Sequence, residues 1–564
     1  MDRLEHLHVL RGALEGATLD VPTPAAAAGE AARDRVLRRL GDHVLPRLAS
    51  ADAPLLVVFG GSTGAGKSTV LNSLLGVRVS ASSAVRPTTR RPLLVHHARD
   101  AQWFGGARIL PGMARVNVDA TALPTRPAAS PEGAGSALEV RTVESFPSGM
   151  ALLDAPDLDS VVEDNRTLAR QLLDAADLWV FVTTAARYAD AVPWEVLSQA
   201  AGRDIACTVV LNRVPPGAAE EVAADLRRLM GERGLERAPL VVVEEQALDD
   251  GLLPTDALQP LGDWLGELGR DAHSRAEVAR RTLTGSVHEV LEGTLTVEDA
   301  LREHDEAVAR AQSRIDTEVG AAVERLSTQT ADGTLLRGEV LARWQEVVGA
   351  ADLSRSIERR VSVVRDRIGA FLRGRPAPVA PVEDALGEGL TALLAEELAR
   401  VPDEVEESWA QDPSLVAIAR DAVRPAHSEL QERAVEVARA WQGDLLEMVR
   451  TQGGSRRITA RVMALGVNVV GVALMVVIFA STAGVTGTEV GVAGATALVS
   501  QRLLEAVFGD QAVRTMSARA HGMLLERARE MLEGGVRDLR RRLPAPSDVA
   551  TVRAARREVE EDWR

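Results

Sequence analysis

Eight residues constrain this chain more than any others: Gly61-Ser62-Thr63-Gly64-Ala65-Gly66-Lys67-Ser68. The apolar run Leu55–Phe59 precedes them and Thr69–Leu75 follows with helical spacing, so the octet reads as a turn between a strand and a helix. Glycines let such a turn curl until several backbone N–H groups face one anion. The helix that opens at its end adds a positive pole. A lysine and a hydroxyl in the last two places complete a cradle for a polyphosphate. Lys67 is placed to bridge the β- and γ-phosphates and Ser68 to hold Mg²⁺, with Gly61, Ser62, Thr63, Gly64, Ala65, Gly66 and Thr69 lining the rest. Lys67 is also the only lysine in the sequence.

The surroundings fit that context. Between about 51 and 270, short apolar runs alternate with helical stretches: Leu55–Phe59, Leu93–His96, Ala151–Leu153, Leu178–Val182, Thr208–Leu211 and Leu240–Val243. Runs buried on both faces and separated by helices predict an α/β domain, a doubly wound and mostly parallel sheet. Residues 120–137, rich in Pro, Gly, Ser and Ala, read as a surface loop. The single cysteine, Cys207, lies inside an apolar run and reads as a buried strand residue, with no disulfide possible within the chain.

Outside 51–270 the pattern is helical. Residues 1–50 form an N-terminal helical segment interrupted at Val21-Pro22-Thr23-Pro24, and its first residues do not have the make-up of a signal peptide. Residues 271–455 carry two apolar stripes at helical spacing. One is Val308, Ala311, Ile315, Val319, Val323 and Leu326; the other is Leu386, Leu390, Leu393, Leu394, Leu398 and Val401. The segment Gly374–Pro381 separates them, and together they read as a long helical stalk or bundle. Aromatic residues make up only 3% of the chain, which suits cores of Leu, Val and Ala between helices. Residues 462–480 carry no charge, and about 20 apolar residues span a bilayer core as a helix. A weaker apolar stretch, Val490–Phe508, follows, and then Arg540-Arg541-Arg542. Arginines on both sides predict a hydrophobic hairpin over 456–509 that enters and leaves the membrane on one side, with cytosolic helices over 510–564.

Three further segments give the octet its relatives. Thr89-Arg90-Arg91-Pro92-Leu93 resembles switch I of the dynamin superfamily. That resemblance makes Thr89 the threonine that ligates Mg²⁺ and senses the γ-phosphate, with Thr88 as alternate. Asp154-Ala155-Pro156-Asp157 ends a strand as the Asp-x-x-Gly motif of GTPases does, with Asp154 holding Mg²⁺ through a water. Asp157 stands where that motif has glycine, and a carboxylate there repels a triphosphate unless it is turned away. Asn212-Arg213-Val214-Pro215 resembles the base-reading Asn-Lys-x-Asp. Asn212 matches, Arg213 can lie along the base, and Pro215 has no carboxylate for guanine; Glu244 or Glu245 could supply one. Where dynamins carry a water-orienting glutamine, this chain has Thr63. Arg86, Arg90, Arg91 and Arg187 are candidate arginine fingers, and the segment Arg187–Trp194 is a candidate switch or dimer surface as well as a loop packed by its own aromatics.

The order of segments also resembles bacterial, actinobacterial-type dynamin-like proteins, with Era/TrmE-like GTPases as a second relation. The resemblance implies a membrane-associated GTPase using Mg²⁺ and GTP. It further implies nucleotide-dependent self-association as a homodimer or with a partner GTPase, at the cytoplasmic face of the cell membrane. A P-loop switch or ATPase with relaxed base choice, regulating a membrane protein, remains the alternative, because Pro215 leaves ATP open. A net charge of −16 speaks against nucleic acid as a partner.

Overall fold

A computed structural model describes residues 2–50, 53–80, 91–106, 109, 110, 112–118, 137–160, 163–202, 205–336, 340, 380–420, 425–451, 461, 462, 465–480 and 490–564. They form two units. One comprises residues 1–19, 25–303 and 547–564, the other 20–24 and 304–546. The 60-residue helix Ala272–Ala331 contributes to both.

The first unit is built on an eight-stranded sheet: β1 (Leu55–Gly61), β2 (Leu93–His96), β3 (Ala114–Asn117), β4 (Ala137–Thr142), β5 (Met150–Asp154), β6 (Leu178–Thr184), β7 (Ala206–Val214) and β8 (Leu240–Glu244). Their order is β3-β4-β2-β5-β1-β6-β7-β8, parallel throughout except where β2 runs against β5. All seven residues of β1 are buried because both faces are covered. Leu56 and Val58 join one apolar core with Leu172, Leu173 and Trp179, while Leu55, Val57 and Phe59 join another with Val70, Leu71 and Leu75. The six anticipated strands are present. β3 and β4 add two at the sheet's end; β3 is exposed or half-buried throughout, so no continuous apolar run announced it. The expected loop before β4 lies outside the described residues apart from Ala137, which opens that strand. Cys207 is buried in β7, and burial pushes its thiol up to about 11.

The amino end of the sheet is fastened by one carboxylate. Asp177, next to β6 and 1% exposed, pairs with the Arg47 guanidinium and accepts from Leu56 N at 2.7 Å, with His43 Nε2 3.4 Å away. Its own carbonyl accepts from Thr282 Oγ1 at 2.9 Å. Burial opposes ionisation of Asp177, but Arg47, His43 and the Leu56 amide prevail and hold its carboxyl below the usual range. Thus residues of the segment before β1 and of β1 itself meet at one buried charge, and the long helix is tied to the same residue through its carbonyl. Beside them Leu7, Leu10 and Leu14 pack with Val287, Val290, Val552 and Val559, so the helices Arg3–Glu15 and Val549–Asp562 share a core.

The second unit is helical. Both apolar stripes expected over 308–326 and 386–401 are buried or partly buried in its core, with Trp409 and Trp441. Trp441 Nε1 donates to Ala520 O at 2.8 Å, and its ring lies 5.7 Å from that of Phe479. The separating segment 374–381 lies outside the described residues up to 379.

The expected membrane hairpin over 456–509 is not what the described residues form. Its first arm is the helix Val467–Phe479, 13 residues long, preceded by Gly466. At 1.5 Å per residue that is about 20 Å, short of a hydrocarbon core of about 30 Å. Val470, Val472, Leu474, Val476 and Phe479 are fully buried among Leu445, Leu504, Met516 and their neighbours. The second arm, Val490–Phe508, carries an Arg502–Glu505 ion pair at 2.9 Å. Among the described residues no helix is long and apolar enough to cross a membrane. Protein surrounds the described part of the run.

Asp177→Ala leaves Arg47 buried without its counter-charge and should cost about 3–5 kcal/mol of stability. Urea unfolding of the full chain measures this, and a loss below about 1 kcal/mol would show that the cluster is not what fastens the sheet.

Candidate functional site

The octet sits where the sequence requires, between β1 and the helix Lys67–Leu75. Two of its glycines are obligatory. Gly61 has φ +146°, and a Cβ there would fall 2.0 Å from Val182 O on the adjacent β6. Gly66 has φ +97°, and its Cβ would fall 2.4 Å from Asn212 Nδ2. Asn212 donates that same nitrogen to Ala65 O at 2.9 Å, so the predicted base-reading residue also holds the floor of the loop. Register explains the approach, since β7 runs beside β6 with Asn212 opposite Thr184, and β6 runs beside β1.

Lys67 is buried. Its Nζ donates to Gly61 O and Ser62 O, each at 3.1 Å, and pairs with the Asp157 carboxylate. Ser68 Oγ donates to Asp154 Oδ2 at 2.6 Å, and Ser80 Oγ reaches the same oxygen at 2.6 Å. Asn72 positions Ser80: its Oδ1 accepts from Val79 N and Ser80 N, and its Nδ2 donates to Ser80 O. Thr63 is held by Asp159, whose Oδ1 accepts from Thr63 N at 2.6 Å and from Thr63 Oγ1 at 2.8 Å. Arg187 completes this group, donating to Thr63 O at 2.9 Å, to Asp159 Oδ2 at 2.7 Å and to Asp190 Oδ2 at 2.8 Å. Burial opposes ionisation of Asp159, but both Thr63 donors and the guanidinium prevail and keep its carboxyl below 3.8. Burial likewise works against the charge on Arg187, and Asp159 and Asp190 more than restore it.

Seven of the side chains singled out in the sequence therefore gather around the loop: Thr63, Lys67, Ser68, Asp154, Asp157, Arg187 and Asn212. Ala65 is buried beneath them, Gly64 is exposed at the loop's outer turn, and Thr69 is half-buried with its carbonyl taken by Ser73 Oγ. Ser62 Oγ is fully buried with no hydrogen-bond partner among the described residues. Arg213 has φ +55° at an irregularity of β7 and is exposed. Glu244 pairs with Val214, and Glu245 N donates to Val214 O at 2.8 Å, which brings both glutamates beside the end of β7. Thr88, Thr89, Arg86 and Arg90 lie outside the described residues. The aromatics of the segment after β6 are engaged inside the domain: Trp194 Nε1 donates to Tyr188 O at 2.7 Å and Tyr188 OH to Asp225 at 2.8 Å.

Sequence reasoning did not find Asn72, Ser80 or Asp159. Asn72 stands four residues after Ser68, on the same helix face, which is the one local signal available.

The donor set suits a polyphosphate with a hard cation. A buried ammonium and a glycine-lined turn make up the phosphate side. A hydroxyl and a carboxylate oxygen 2.6 Å apart are the ligand types Mg²⁺ takes when phosphates and waters supply the rest. No group of three or more His, Cys, Asp or Glu residues able to hold a metal occurs among the described residues.

A lysine–serine cradle at the carboxyl end of a central parallel strand defines a P-loop nucleoside triphosphatase. Residues 56–213 match the sequence profile of the Dynamin family. That match, over this geometry, supports a GTP-hydrolysing enzyme. Two solved structures described as an oligomerised bacterial dynamin pair, providing a mechanism for long-range sensing and tethering of membranes, are each 11% identical to this chain. Their TM-scores are 0.44 and 0.43, over 99% and 100% of this chain and 95% of each of theirs. LeoA, a bacterial dynamin GTPase from ETEC, is 13% identical with a TM-score of 0.22, over 99% of this chain and 97% of its own. No curated protein sequence matches. Overlays this loose carry no weight beside the profile match.

The depressed Asp159 gives a pH test. Its folded value lies below the unfolded 3.8, so its stabilisation is complete above that value and is lost as pH falls through the lower one. The stability gap between the native protein and Asp159→Asn should be constant above about pH 5 and close on further acidification. A gap that persists unchanged to pH 2 would contradict the ionised pairing.

Proposed function

We propose that this protein is a dynamin-like GTPase that takes GTP with Mg²⁺ and works through nucleotide-dependent self-association at a membrane surface. One observation carries the reading: Lys67, Ser68 and Asp154 stand in contact with the loop or with each other inside the stretch that matches the Dynamin family. In this reading the loop amides and Lys67 orient the β- and γ-phosphates, and the helix beginning at Lys67 adds its positive end. Ser68 and Asp154 would hold Mg²⁺, which would supply a counter-charge on the terminal phosphates. Asn72 and Ser80 keep the Asp154 carboxylate aimed at Ser68, and Thr63, braced by Asp159 and Arg187, fixes the loop's outer half. Thr89 is assigned the γ-phosphate-sensing role on its resemblance to switch I.

A second reading has its own support. Pro215 offers no carboxylate to guanine, which favours a P-loop switch or ATPase with relaxed base choice. Glu244 and Glu245, beside the end of β7, are the groups that restore guanine choice in the first reading.

Labelled GTP and ATP, each with Mg²⁺, titrated against the full chain separate the two. Tighter GTP supports the GTPase reading; equal or tighter ATP replaces it with the second. Lys67→Ala should weaken either nucleotide about a hundredfold or more, from lost charge-assisted contacts of about 1.5–3 kcal/mol each. Unchanged retention by that variant would remove the site.

The membrane partner and a position at the cytoplasmic face rest on the dynamin resemblance, without a spanning hairpin. Flotation of the full chain with anionic-lipid vesicles, with and without GTP, tests this. Protein that stays at the bottom of the gradient in every nucleotide state would take the membrane out of the reading.

A further inference from the structure

Asp157 occupies a place where glycine was expected, and it does not turn away from the phosphate site. Its carboxylate pairs with Lys67 Nζ. The ammonium has three protons, and the structure gives it three partners: the carbonyls of Gly61 and Ser62 and this one carboxylate. The pairing is built in by the backbone on both sides. Ala155 N donates to Phe59 O at 3.2 Å and Leu158 N to Gly61 O at 3.3 Å, which laces the segment to β1 and the start of the loop. Two residues on, Asp159 grips Thr63. The Asp157 main chain is therefore pinned within reach of Lys67, while its side chain, 37% exposed, has solvent to swing into.

We propose that Asp157 determines which phosphorylation state of the nucleotide this site prefers, standing on Lys67 in place of a terminal phosphate and yielding it only to a triphosphate. This deepens the GTPase reading and rests on it. A diphosphate fills the inner part of the cradle, against the loop amides and the helix end, and leaves the outer face of the ammonium to the carboxylate. A triphosphate brings a second anion to the same proton. Two anions cannot share it at contact distance without strong repulsion, so the carboxylate must leave. A γ-phosphate thus meets this competitor directly on the outer face of the ammonium, while the β-phosphate, held against the loop amides and the helix end, meets it less. Departure of the side chain also frees a carboxylate on the segment that runs on to Asp159, Thr63 and Arg187, so the number of phosphates is read out on that segment.

The test is a paired titration of full-length protein with labelled GTP and labelled GDP, each with Mg²⁺. Asp157→Asn keeps the shape and removes the charge. It should tighten GTP about tenfold and GDP less than about threefold, so the GTP-to-GDP preference rises. Asp157→Gly, which removes the side chain altogether, should move the ratio the same way and serves if the first variant does not fold. An unchanged or reduced ratio in a folded variant overturns the proposal. Lys67→Ala run alongside separates the two levels. Loss of both nucleotides in that variant with no change in the Asp157 ratio sinks this inference alone. Retention of both nucleotides without Lys67 sinks the site reading and this inference with it.

Discussion

An ammonium buried under a glycine turn needs an anion, and this chain carries one in Asp157. The consequence is a segment in which three aspartates each hold one residue of the loop: Asp154 holds Ser68, Asp157 holds Lys67 and Asp159 holds Thr63. No sequence-local force aligns these pairs, which are separated by 86, 90 and 96 positions. The sheet aligns them. β5 lies beside β1 in a register that puts Asp154 opposite Phe59, two residues before β1 ends, so whatever follows Asp154 must run along the loop. A one-residue slip would turn every side chain of β5 to the other face and break all three contacts together.

Chemistry and cohesion are divided between the two ends of that sheet. The carboxyl ends of β1, β5, β6 and β7 carry the cradle, the aspartates and Asn212, as open parallel sheets do when they bind ligands. The amino end carries Asp177 with Arg47, a buried pair that gathers the segment before β1 onto the sheet, and the Asp177 carbonyl takes the long helix through Thr282. A buried ion pair of this kind is not stabilising by its mere presence; it costs desolvation and is kept where a wrong arrangement would leave a charge unpaired. Here it specifies how those segments meet β1, and β1 ends in the loop.

The legible part of the sequence was the part whose signal is local. Glycine spacing, one lysine and the flanking runs located the loop, and runs buried on both faces located six strands. The edge strand β3, with residues such as Arg115 and Asn117, lacks that signal. Hydropathy located the apolar run at 467–479 but could not say what surrounds it, because lipid and the inside of a helical bundle ask for the same side chains. What distinguishes the two is the length of the helix, 13 residues from Val467, which the 19-residue uncharged run over 462–480 did not show. Ser80 and Asp159 were illegible for the opposite reason: each is an ordinary polar residue until the sheet brings its partner to it, and Asn72 is one until the chain after its helix turns back to it.

Arg187 shows how a contact set narrows a role that the sequence left open. As one of four candidate arginine fingers it had to be a cation free to reach a phosphate. Its Nε, Nη1 and Nη2 are instead taken by Asp190, Thr63 O and Asp159, two carboxylates and a loop carbonyl. A guanidinium that fully engaged carries little net positive field outward, since two anions lie against it. Turning it toward a phosphate, in this chain or a partner, would break its contacts with Thr63 O and with the Asp159 that holds Thr63. Arg187 therefore acts through Thr63 and Asp159 as a positioning residue. It fixes the outer half of the loop, while Lys67 and the helix behind it supply the charge that the phosphates meet.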